Sequence, residues 1–427
     1  METLRSDVVV VGAGLAGCAV ATLLARSGAS VTLLEAHRDP RHHKRTCTHY
    51  LQPGAVPVLE RLDLGPALAR AGAVPNTADV WTRWGWIRPS DRVPHGLDVR
   101  RSTLDPLLRA RALATPGVRG VLGARVRGLL RDGDRAVGVT ADTPDGPREV
   151  RARLVVGADG RHSAVARLAG VPAEESPHGR SCWFAPYEGV VPRAGPRPQI
   201  WFLDPDVAYA FPNDGGTTVL GTAVLPEREE PFREDADSAL RAALAALPDA
   251  PDLAAARLVG PPVGVRHYAN TRREVTAPGL ALVGDAAMTT DYLWAVGCGW
   301  ALQSAEWLAD AVGPALAPSA EGTVDRALDA YRRRHHRELD AHHRLIAQGS
   351  TGRRLTPLER LLFSGAARDP VLADRFDLFG SRLLQPREFL TPGLVWRAAR
   401  ADLAHAAAAT RRRAARTRDR EGAGTTT

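Results

Sequence analysis

The chain has 427 residues, of which 44% are hydrophobic and 24% are charged. These values are typical of globular proteins, and the length predicts two or three domains with a sizeable core. The formal net charge is +8, but arginines are spread along the chain and in its C-terminal tail, so we expect no nucleic-acid partner. The first apolar run is interrupted by glycines and no run is long enough to span a bilayer. Four cysteines without paired spacing predict neither a disulfide framework nor a zinc site, so we expect a cytoplasmic protein.

The segment from residue 7 to residue 35 has the pattern of a dinucleotide-binding βαβ unit. The apolar run Val8–Val11 predicts a strand buried on both faces, and Gly12, Gly14 and Gly17 follow with G-x-G-x-x-G spacing. The first glycine permits a tight turn, the second lets the backbone approach a pyrophosphate, and the third lets the next helix pack closely. That helix directs its N-terminus at the phosphates. The second strand ends at Glu35, whose carboxylate can accept hydrogen bonds from an adenosine ribose.

Two further segments supply strands and candidate side chains. Residues 77–86 predict one strand on which Trp84 and Trp86 share a face. Leu154–Arg167 predicts a buried strand that passes through a Gly-Ala-Asp-Gly turn into a helix. Asp159 in this turn therefore lies at the end of its strand, the usual ligand edge of such a sheet.

Between residues 179 and 225 the pattern changes to alternation with turns, which predicts an antiparallel sheet inserted into the nucleotide-binding domain. Its aromatic side chains either line an apolar substrate pocket or pack between the sheet and helices. Together with aromatic residues of neighbouring segments, the candidates for the pocket are Trp84, Trp86, Trp183, Trp201, Tyr209, Phe211 and Tyr292.

The first sheet is predicted to resume at Gly279–Ala287, another apolar strand that ends in a Gly-Asp pair. Asp285 suits a sugar-like polyol, and a second helix begins near Gly297 with its N-terminus towards the same place. The dipole of that helix suits a developing anion such as the N1–C2=O edge of a reduced flavin.

These motifs, in this order, resemble those of FAD-dependent monooxygenases of the para-hydroxybenzoate hydroxylase type. The superfamily also includes geranylgeranyl-reductase-like enzymes and flavin halogenases. The motifs are G-x-G-x-x-G with Glu35, R-x-x-L-D at Arg101–Asp105, G-A-D-G at Gly157–Gly160 and G-D-A-A at Gly284–Ala287. The resemblance implies an α/β fold with a Rossmann-like (GR2-type) FAD-binding domain, an inserted antiparallel β-sheet substrate domain and C-terminal helices.

The resemblance also implies roles for individual residues. The three glycines and Glu35 would hold the ADP part of FAD, Arg101 would contribute to FAD binding, Asp159 would lie near the pyrophosphate, and Asp285 would hold the ribityl chain. Gly297 would lie at the flavin ring. The chain departs from the family pattern beside that ring, where the family has His, Pro, Gly and Asp and this chain has Met288, Tyr292, Ala295 and Ser304.

The expected domain organisation is discontinuous. Residues 1–75, 98–178 and 262–345 form the FAD-binding domain, 76–97 and 179–261 form the substrate-binding β-sheet domain, 346–415 are helical, and 416–427 are a disordered tail. The C-terminal helices either cover the active site or form a homodimer contact. The histidines of the predicted helix 324–345 are expected to be exposed and to bind no metal; they include His335, His336, His342 and His343.

The function implied by the resemblance is that of a monooxygenase. FAD would be reduced by NADPH or NADH and, with O₂, would hydroxylate or epoxidise a small aromatic or apolar substrate, as in the tailoring of specialised metabolites. No catalytic side chain is assigned, because the cofactor carries the chemistry and the protein excludes water and orients the partners. Cys298 is expected to be a small packing residue.

Three alternatives stay open at this point: a geranylgeranyl-reductase-like oxidoreductase or dehydrogenase, a flavin-dependent halogenase, and a redox-silent FAD-binding cyclase. Resemblance to halogenases would imply a catalytic lysine between the flavin and the substrate. The chain has one lysine, Lys44, which is expected on the adenosine side of the site. The expected position of this single lysine therefore disfavours the halogenase interpretation.

Overall fold

In the computed structural model, which describes residues 2–317 and 323–423, the βαβ pattern forms the centre of an eight-stranded sheet. Val8, Val9 and Val10 are fully buried because helices and strands cover both faces of their strand. This strand pairs in parallel with Val31–Glu35 on one side and with Gly146–Gly157 on the other. The spatial order of the main path is Thr276–Ala277, Leu280–Leu282, Gly146–Gly157, Glu2–Val11, Val31–Glu35 and Val118–Leu122, and Arg125–Asp132 and Arg135–Thr143 add an antiparallel extension.

The second large sheet is the predicted inserted sheet. Its neighbouring strands run antiparallel except for one parallel pair, Gln199–Phe202 with Asp79–Thr82. Its strands in spatial order are Arg257–Leu258, Ser181–Glu188, Thr217–Val224, Val207–Pro212, Gln199–Phe202, Asp79–Thr82 and Gly85–Ile87, with Val263–Val265 beside Ser181–Glu188. The last of these strands falls inside the range predicted for the FAD-binding domain.

The single strand predicted for residues 77–86 is wrong, because the chain reverses within it. Asp79–Thr82 and Gly85–Ile87 are two antiparallel strands. The Thr82 hydroxyl donates to the Gly85 carbonyl and accepts from the Trp84 N–H, which stabilises a turn between them. Trp84 therefore lies in the turn and does not share a strand face with Trp86.

Two small three-stranded sheets connect the large ones. Their strands are Ala173–Ser176, Asn270–Arg273 and Met288–Thr289, and Tyr50–Leu51, Gly96–Asp98 and Val74–Asn76. The α-helices are Leu15–Arg26, Val56–Arg61, Gly65–Arg70, Arg101–Leu113, Ala164–Ala169, Glu230–Glu234, Ala236–Ala245, Gly297–Leu316, Val324–Gly349, Pro357–Ala366, Pro370–Gly380, Pro386–Phe389 and Pro392–Ala423. Short 3₁₀ turns occur at Pro53–Ala55, Asp214–Gly216, Pro226–Arg228, Gly284–Ala286 and Tyr292–Trp294.

The C-terminal helices pack on the second sheet. Phe363 contacts Phe202 of that sheet with 5.1 Å between ring centroids, and Ile87 joins the same apolar cluster. The last helix, Pro392–Ala423, extends across the predicted boundary at residue 416, and residues 424–427 lie outside the described part of the chain. Within residues 2–317 and 323–423, no helix has the length and apolar character needed to cross a bilayer.

The prediction that the C-terminal histidines are exposed is wrong for three of them. His335, His342 and His343 are buried, because Val324–Gly349 packs between the helix Gly297–Leu316 and the later C-terminal helices. Neither ring nitrogen of His342 has a hydrogen-bond partner within the described residues. Burial, with a smaller contribution from the charge of Arg382, lowers the pKa of His342 to about 3. The described residues contain no cluster of three metal-binding side chains.

Burial of His342 makes a prediction about the pH dependence of stability. A histidine in the unfolded chain has a pKa of about 6.5. As the pH falls below this value, His342 therefore binds a proton in the unfolded chain but not in the folded one. The contribution of His342 to stability is therefore lost progressively from about pH 6.5 down to about pH 3. We expect His342→Leu to show a shallower loss of stability over this range in chemical denaturation at a series of pH values. The exposed His95 supplies the control, since His95→Asn should keep the wild-type slope; equal slopes for all three proteins would contradict the assignment.

Candidate cofactor-binding site

A cavity of about 560 Å³ follows the carboxyl ends of the central parallel strands. This edge is where ligands bind in open α/β sheets. The structure brings most of the predicted cofactor residues to this one cavity, whose lining includes Gly12, Gly14, Glu35, Arg101, Asp159, Asp285 and Gly297. Gly17 lies behind the lining, in the contact between the first strand and the first helix.

The glycines make a backbone cradle at the centre of the cavity. Gly12 has φ +101°, and a Cβ atom there would lie 2.5 Å from the Ala158 carbonyl oxygen. A Cβ atom on Gly17 would lie 1.8 Å from the Gly12 carbonyl oxygen. No atom lies within 4 Å of a Cβ position at Gly14, which faces the open cavity. The helix Leu15–Arg26 begins at this cradle without a side-chain cap, so its N-terminal dipole favours an anion there.

Glu35 marks one end of the cavity. Its carboxylate is 8% exposed and accepts hydrogen bonds from the backbone N–H groups of Ala13 at 2.7 Å and His37 at 2.9 Å. These bonds fix both oxygens and leave lone pairs that can accept from ribose hydroxyls. The rings of His37 and His42 stack beside it with 3.4 Å between centroids. This end suits an adenosine.

Asp159 lines the middle of the cavity and also stabilises the turn that carries it. Its carboxylate accepts from the Ser163 hydroxyl at 2.6 Å and from the Val165 N–H at 3.0 Å. These contacts stabilise the start of the helix Ala164–Ala169. The side chain therefore holds the Gly-Ala-Asp-Gly turn in the shape that lines the cavity.

Arg109 is a site residue that the sequence reasoning missed. Its guanidinium is buried and donates to the carbonyl oxygens of Ala13 at 3.1 Å, of Pro40 at 2.5 Å and of His42 at 2.9 Å. It thus joins the glycine turn to the loop of residues 36–49. A signal was present, because Arg109 follows Asp105 by four residues and so lies on the same helix face.

Arg101 and Asp105 form a bidentate ion pair in the wall of the cavity, with N–O distances of 2.6 and 3.0 Å. Both side chains are buried. Although burial disfavours the charged form, the Asp105 carboxylate raises the pKa of Arg101 well above its ordinary value. The cavity therefore contains a fixed cation beside its anion-binding cradle.

The expected position of Lys44 is wrong. The loop of residues 36–49 folds back over the cavity, and the Lys44 ammonium lies 2.5 Å from the Asp285 carboxylate instead of on the adenosine side. The Lys44 N–H donates to Asp105 at 3.0 Å, which fixes the backbone there. The charge of Asp285 raises the pKa of Lys44 despite its burial. The single lysine thus occupies the place expected for a ribityl chain or a pyrophosphate.

The end of the cavity opposite Glu35 is formed by the segment that departs from the family pattern. Met288, Tyr292 and Ala295 line it together with Gly297, the first residue of the helix Gly297–Leu316. Ala295 has φ +50° and so adopts a left-handed conformation that favours glycine. The Ser304 hydroxyl accepts from the Gly284 N–H at 3.0 Å and so supports the Gly-Asp turn.

A buried charge cluster supports this end from behind. The Asp291 carboxylate lies 3.1 Å from Arg180 and 3.2 Å from His178, and it also accepts from the Leu293 N–H at 2.7 Å. Burial alone would raise the pKa of Asp291, but His178 and Arg180 lower it below its ordinary value. The Tyr292 hydroxyl donates to the Arg180 carbonyl at 3.1 Å. The segment that faces the ring position is therefore held by a charged network.

Most of the aromatic residues predicted for a substrate pocket lie elsewhere. Tyr292 lines the cavity, but Trp86, Trp183 and Trp201 pack on the face of the second sheet that the helix Ala236–Ala245 covers. Trp201 is fully buried and donates to the Pro248 carbonyl at 2.9 Å. Helices cover both faces of this sheet, so alternation alone did not identify the face towards the cofactor cavity.

The remaining candidates lie on the other face of the second sheet or in its turn. Tyr209 stacks on Phe211 with 4.6 Å between centroids, and Trp84 lines a separate small surface pocket. Phe211 lines a second cavity, of about 70 Å³, between the second sheet and the helix Pro370–Gly380. Tyr50 and Ala295 line both this cavity and the large one, so the second cavity adjoins the ring end of the first.

Residues 5–341 match the family of the FAD binding domain. The chain belongs to this family. It is 30% identical to digeranylgeranylglycerophospholipid reductase 1 of Methanopyrus kandleri over 70% of this chain and 78% of that protein. It is 35% identical to 6-methylpretetramide 4-monooxygenase of Streptomyces rimosus over 39% of this chain and 41% of that protein. The fold is similar to that of a flavin-dependent brominase, with a TM-score of 0.74 at 20% identity over 93% of this chain and 98% of the other.

The residues of the cavity fit the FAD of this family. The glycine cradle and the uncapped helix suit the pyrophosphate, and Glu35 suits the adenosine ribose. The Asp285 carboxylate lines the cavity, where it pairs with Lys44 and could accept hydrogen bonds from a polyol. The protein is accordingly an FAD-dependent oxidoreductase.

The contact at Gly17 makes a prediction about FAD affinity. In Gly17→Ala the new methyl group must displace the Gly12 carbonyl and so distort the cradle. We expect FAD affinity to fall at least about tenfold, equivalent to about 1.4 kcal/mol, in fluorescence titration of the apoprotein with FAD. Gly349→Ala is the matched control, because a Cβ atom there meets no neighbour within 4 Å. Unchanged affinity in Gly17→Ala would contradict the role of the cradle.

Proposed function

We propose that this protein is an FAD-dependent monooxygenase that uses NADPH or NADH and O₂ to hydroxylate or epoxidise a small aromatic or apolar molecule. The observation that carries the proposal is the second cavity, which adjoins the ring end of the FAD site and shares Tyr50 and Ala295 with it. Its walls are mainly aromatic and aliphatic, and include Ile87, Ile200, Phe202, Phe211, Trp294 and Phe376. A site of this kind binds apolar ligands and excludes water.

The size of the second cavity favours a compact substrate. About 70 Å³ suits a ring-sized group close to the flavin and is too small for a long hydrocarbon chain. The similarity to 6-methylpretetramide 4-monooxygenase of Streptomyces rimosus supports a monooxygenase reaction. We propose that the reaction is a tailoring step in specialised metabolism.

The roles of the chain's own residues follow from their positions. Bound FAD would supply the oxygen chemistry. The cradle and Glu35 bind and orient the cofactor, while the network of Asp291, Arg180 and His178 fixes the segment that faces the ring. The C-terminal helices form one wall of the second cavity and would limit the access of water to it.

Asp377 is the acidic group of the second cavity, and we assign it to substrate recognition. Its Oδ2 atom is buried without a hydrogen-bond partner among the described residues. Burial, with a smaller contribution from the nearby charge of Asp374, raises the pKa of Asp377 to about 7. In its neutral form the side chain can donate a hydrogen bond to a carbonyl or phenol oxygen of the substrate.

The protonation of Asp377 can be measured without a substrate. Infrared difference spectra of the wild type against Asp377→Asn should show a neutral carboxyl band that disappears with a midpoint near pH 7. In Asp374→Asn the midpoint should fall, because the charge that disfavours ionisation of Asp377 is removed. A midpoint near the ordinary value of about 3.9 in the wild type would contradict the assignment.

A reductase is the second candidate function. The 30% identity to a lipid reductase over 70% of the chain favours it. The position of Lys44 bears on the halogenase alternative. Its ammonium is paired with Asp285 at 2.5 Å, so it is not directed into the second cavity as a halogenating lysine would be.

Anaerobic reduction followed by addition of O₂ tests the proposal. The purified, FAD-loaded protein is mixed without oxygen with NADPH and separately with NADH, and the visible band of oxidised flavin is followed. We expect the band to disappear with one of the two nucleotides. When O₂ and a series of small phenols are then added, we expect an oxygenated product from at least one phenol.

The other outcomes separate the alternatives. Reduction of a substrate double bond without oxygen incorporation would favour the reductase. No bleaching with either nucleotide would contradict a self-sufficient monooxygenase.

A further inference from the structure

Two cysteines face each other at the ring end of the FAD cavity. The Cys47 and Cys298 sulfur atoms are 3.7 Å apart, and both side chains line the cavity. They are separated by 251 residues in sequence, so spacing did not reveal the pair. The expectation that Cys298 is only a packing residue does not account for this contact.

The surroundings make the two sulfurs unequal. The His49 N–H donates to Cys47 at 3.3 Å, and the Arg101 guanidinium lies 3.7 Å from Cys298. The hydrogen bond with Cys298 is the largest influence that lowers the pKa of Cys47, and the same contact raises the pKa of Cys298. Cys47 is therefore the more acidic thiol of the pair and Cys298 the less acidic one. This division is the one needed for the formation and cleavage of a disulfide.

The geometry permits a disulfide after a small movement. A disulfide has an S–S distance of about 2.05 Å, so the sulfurs must approach by less than about 2 Å. Cys47 lies in the loop of residues 36–49, outside any helix or strand, and Cys298 lies in the first turn of the helix Gly297–Leu316. Rotation of the side chains with a small shift of the loop can supply the movement.

The other two cysteines supply an internal comparison. Cys18 is buried and donates to the Ala13 carbonyl at 3.3 Å, and Cys182 is buried 3.7 Å from the Tyr209 hydroxyl. Burial raises the pKa of each thiol to about 12. Neither has another cysteine beside it, so both should remain unreactive thiols.

We propose that Cys47 and Cys298 form a redox-active pair that exchanges two electrons with FAD bound in the same cavity. The two S–H bonds break, one S–S bond forms, and two electrons and two protons pass to the oxidised flavin. In the reverse direction the reduced flavin returns them and the disulfide is cleaved. The exchange rests on the FAD binding of the proposed function but not on its oxygenation step, and it adds a thiol–disulfide activity to the site.

Disulfide mapping tests the pair itself. The FAD-loaded protein and the apoprotein are equilibrated anaerobically in buffers of increasing oxidised-to-reduced glutathione ratio, alkylated under denaturing conditions and mapped by mass spectrometry without reduction. We expect a peptide joined through Cys47 and Cys298 in the oxidising buffers, with two of the four thiols lost. Cys18 and Cys182 should be alkylated throughout. The absence of this joined peptide in every buffer would overturn the proposal.

Flavin absorption tests the exchange. The protein is first fully reduced, freed of glutathione and loaded anaerobically with oxidised FAD. The absorption of oxidised flavin should then decrease by the equivalent of one FAD for each disulfide formed. Cys47→Ser and Cys298→Ser should each abolish the decrease, whereas Cys182→Ser should leave it unchanged. A disulfide that forms in glutathione without any change at the flavin would overturn the electron exchange. Because mapping of the apoprotein needs no FAD, failure of the thiol pair and failure of FAD binding give different results.

Discussion

The contacts of Arg109 are the constraint on which the rest of the site depends. One guanidinium holds the Ala13 carbonyl of the glycine turn and the Pro40 and His42 carbonyls of the loop of residues 36–49. The loop is held near its beginning by these bonds, and its later residues line the cavity. That path brings Lys44 to Asp285 and the Cys47 sulfur to Cys298, and so it defines both the phosphate region and the ring end.

Three sets of paired charges give this site its shape. Arg101 pairs with Asp105, Lys44 with Asp285, and Asp291 with Arg180 and His178. An unpaired charge would be costly in such surroundings, and removing one partner of a buried pair is usually more harmful than never having the pair. The pair of Lys44 and Asp285 differs from the others, because both of its members face the cavity. A bound pyrophosphate can replace Asp285 as the partner of Lys44. A bound polyol can replace Lys44 as the partner of Asp285.

The sequence predicted the parts of the structure that local pattern determines. The glycine spacing, the buried valine strand and the acid at Glu35 all occur within one βαβ unit, and the structure has them as predicted. The fold class is confirmed by the parallel central sheet and by the similarity to flavoprotein folds. These features depend on neighbouring residues and on steric limits at glycine, which a sequence displays directly.

The features that the sequence did not predict depend on distant contacts. Lys44 and Asp285 are 241 residues apart in sequence. The loop of residues 36–49, which carries Lys44, has no periodic pattern. The predictions for the tryptophans of the second sheet and for His342 were wrong for a common reason. Each of these residues lies on a strand or helix that other elements cover on more than one side. A period of two or of 3.6 residues identifies a face but not what covers it.

The crystal structure of the protein grown with FAD is the measurement that tests the central claim most directly. We expect the adenosine beside Glu35, the pyrophosphate over Gly14, and the isoalloxazine ring at the end lined by Tyr292 and the two facing cysteines. We also expect the Lys44 ammonium to leave Asp285 for the pyrophosphate. A protein that crystallises without FAD at saturating concentration, or with the ring at the Glu35 end, would contradict the account.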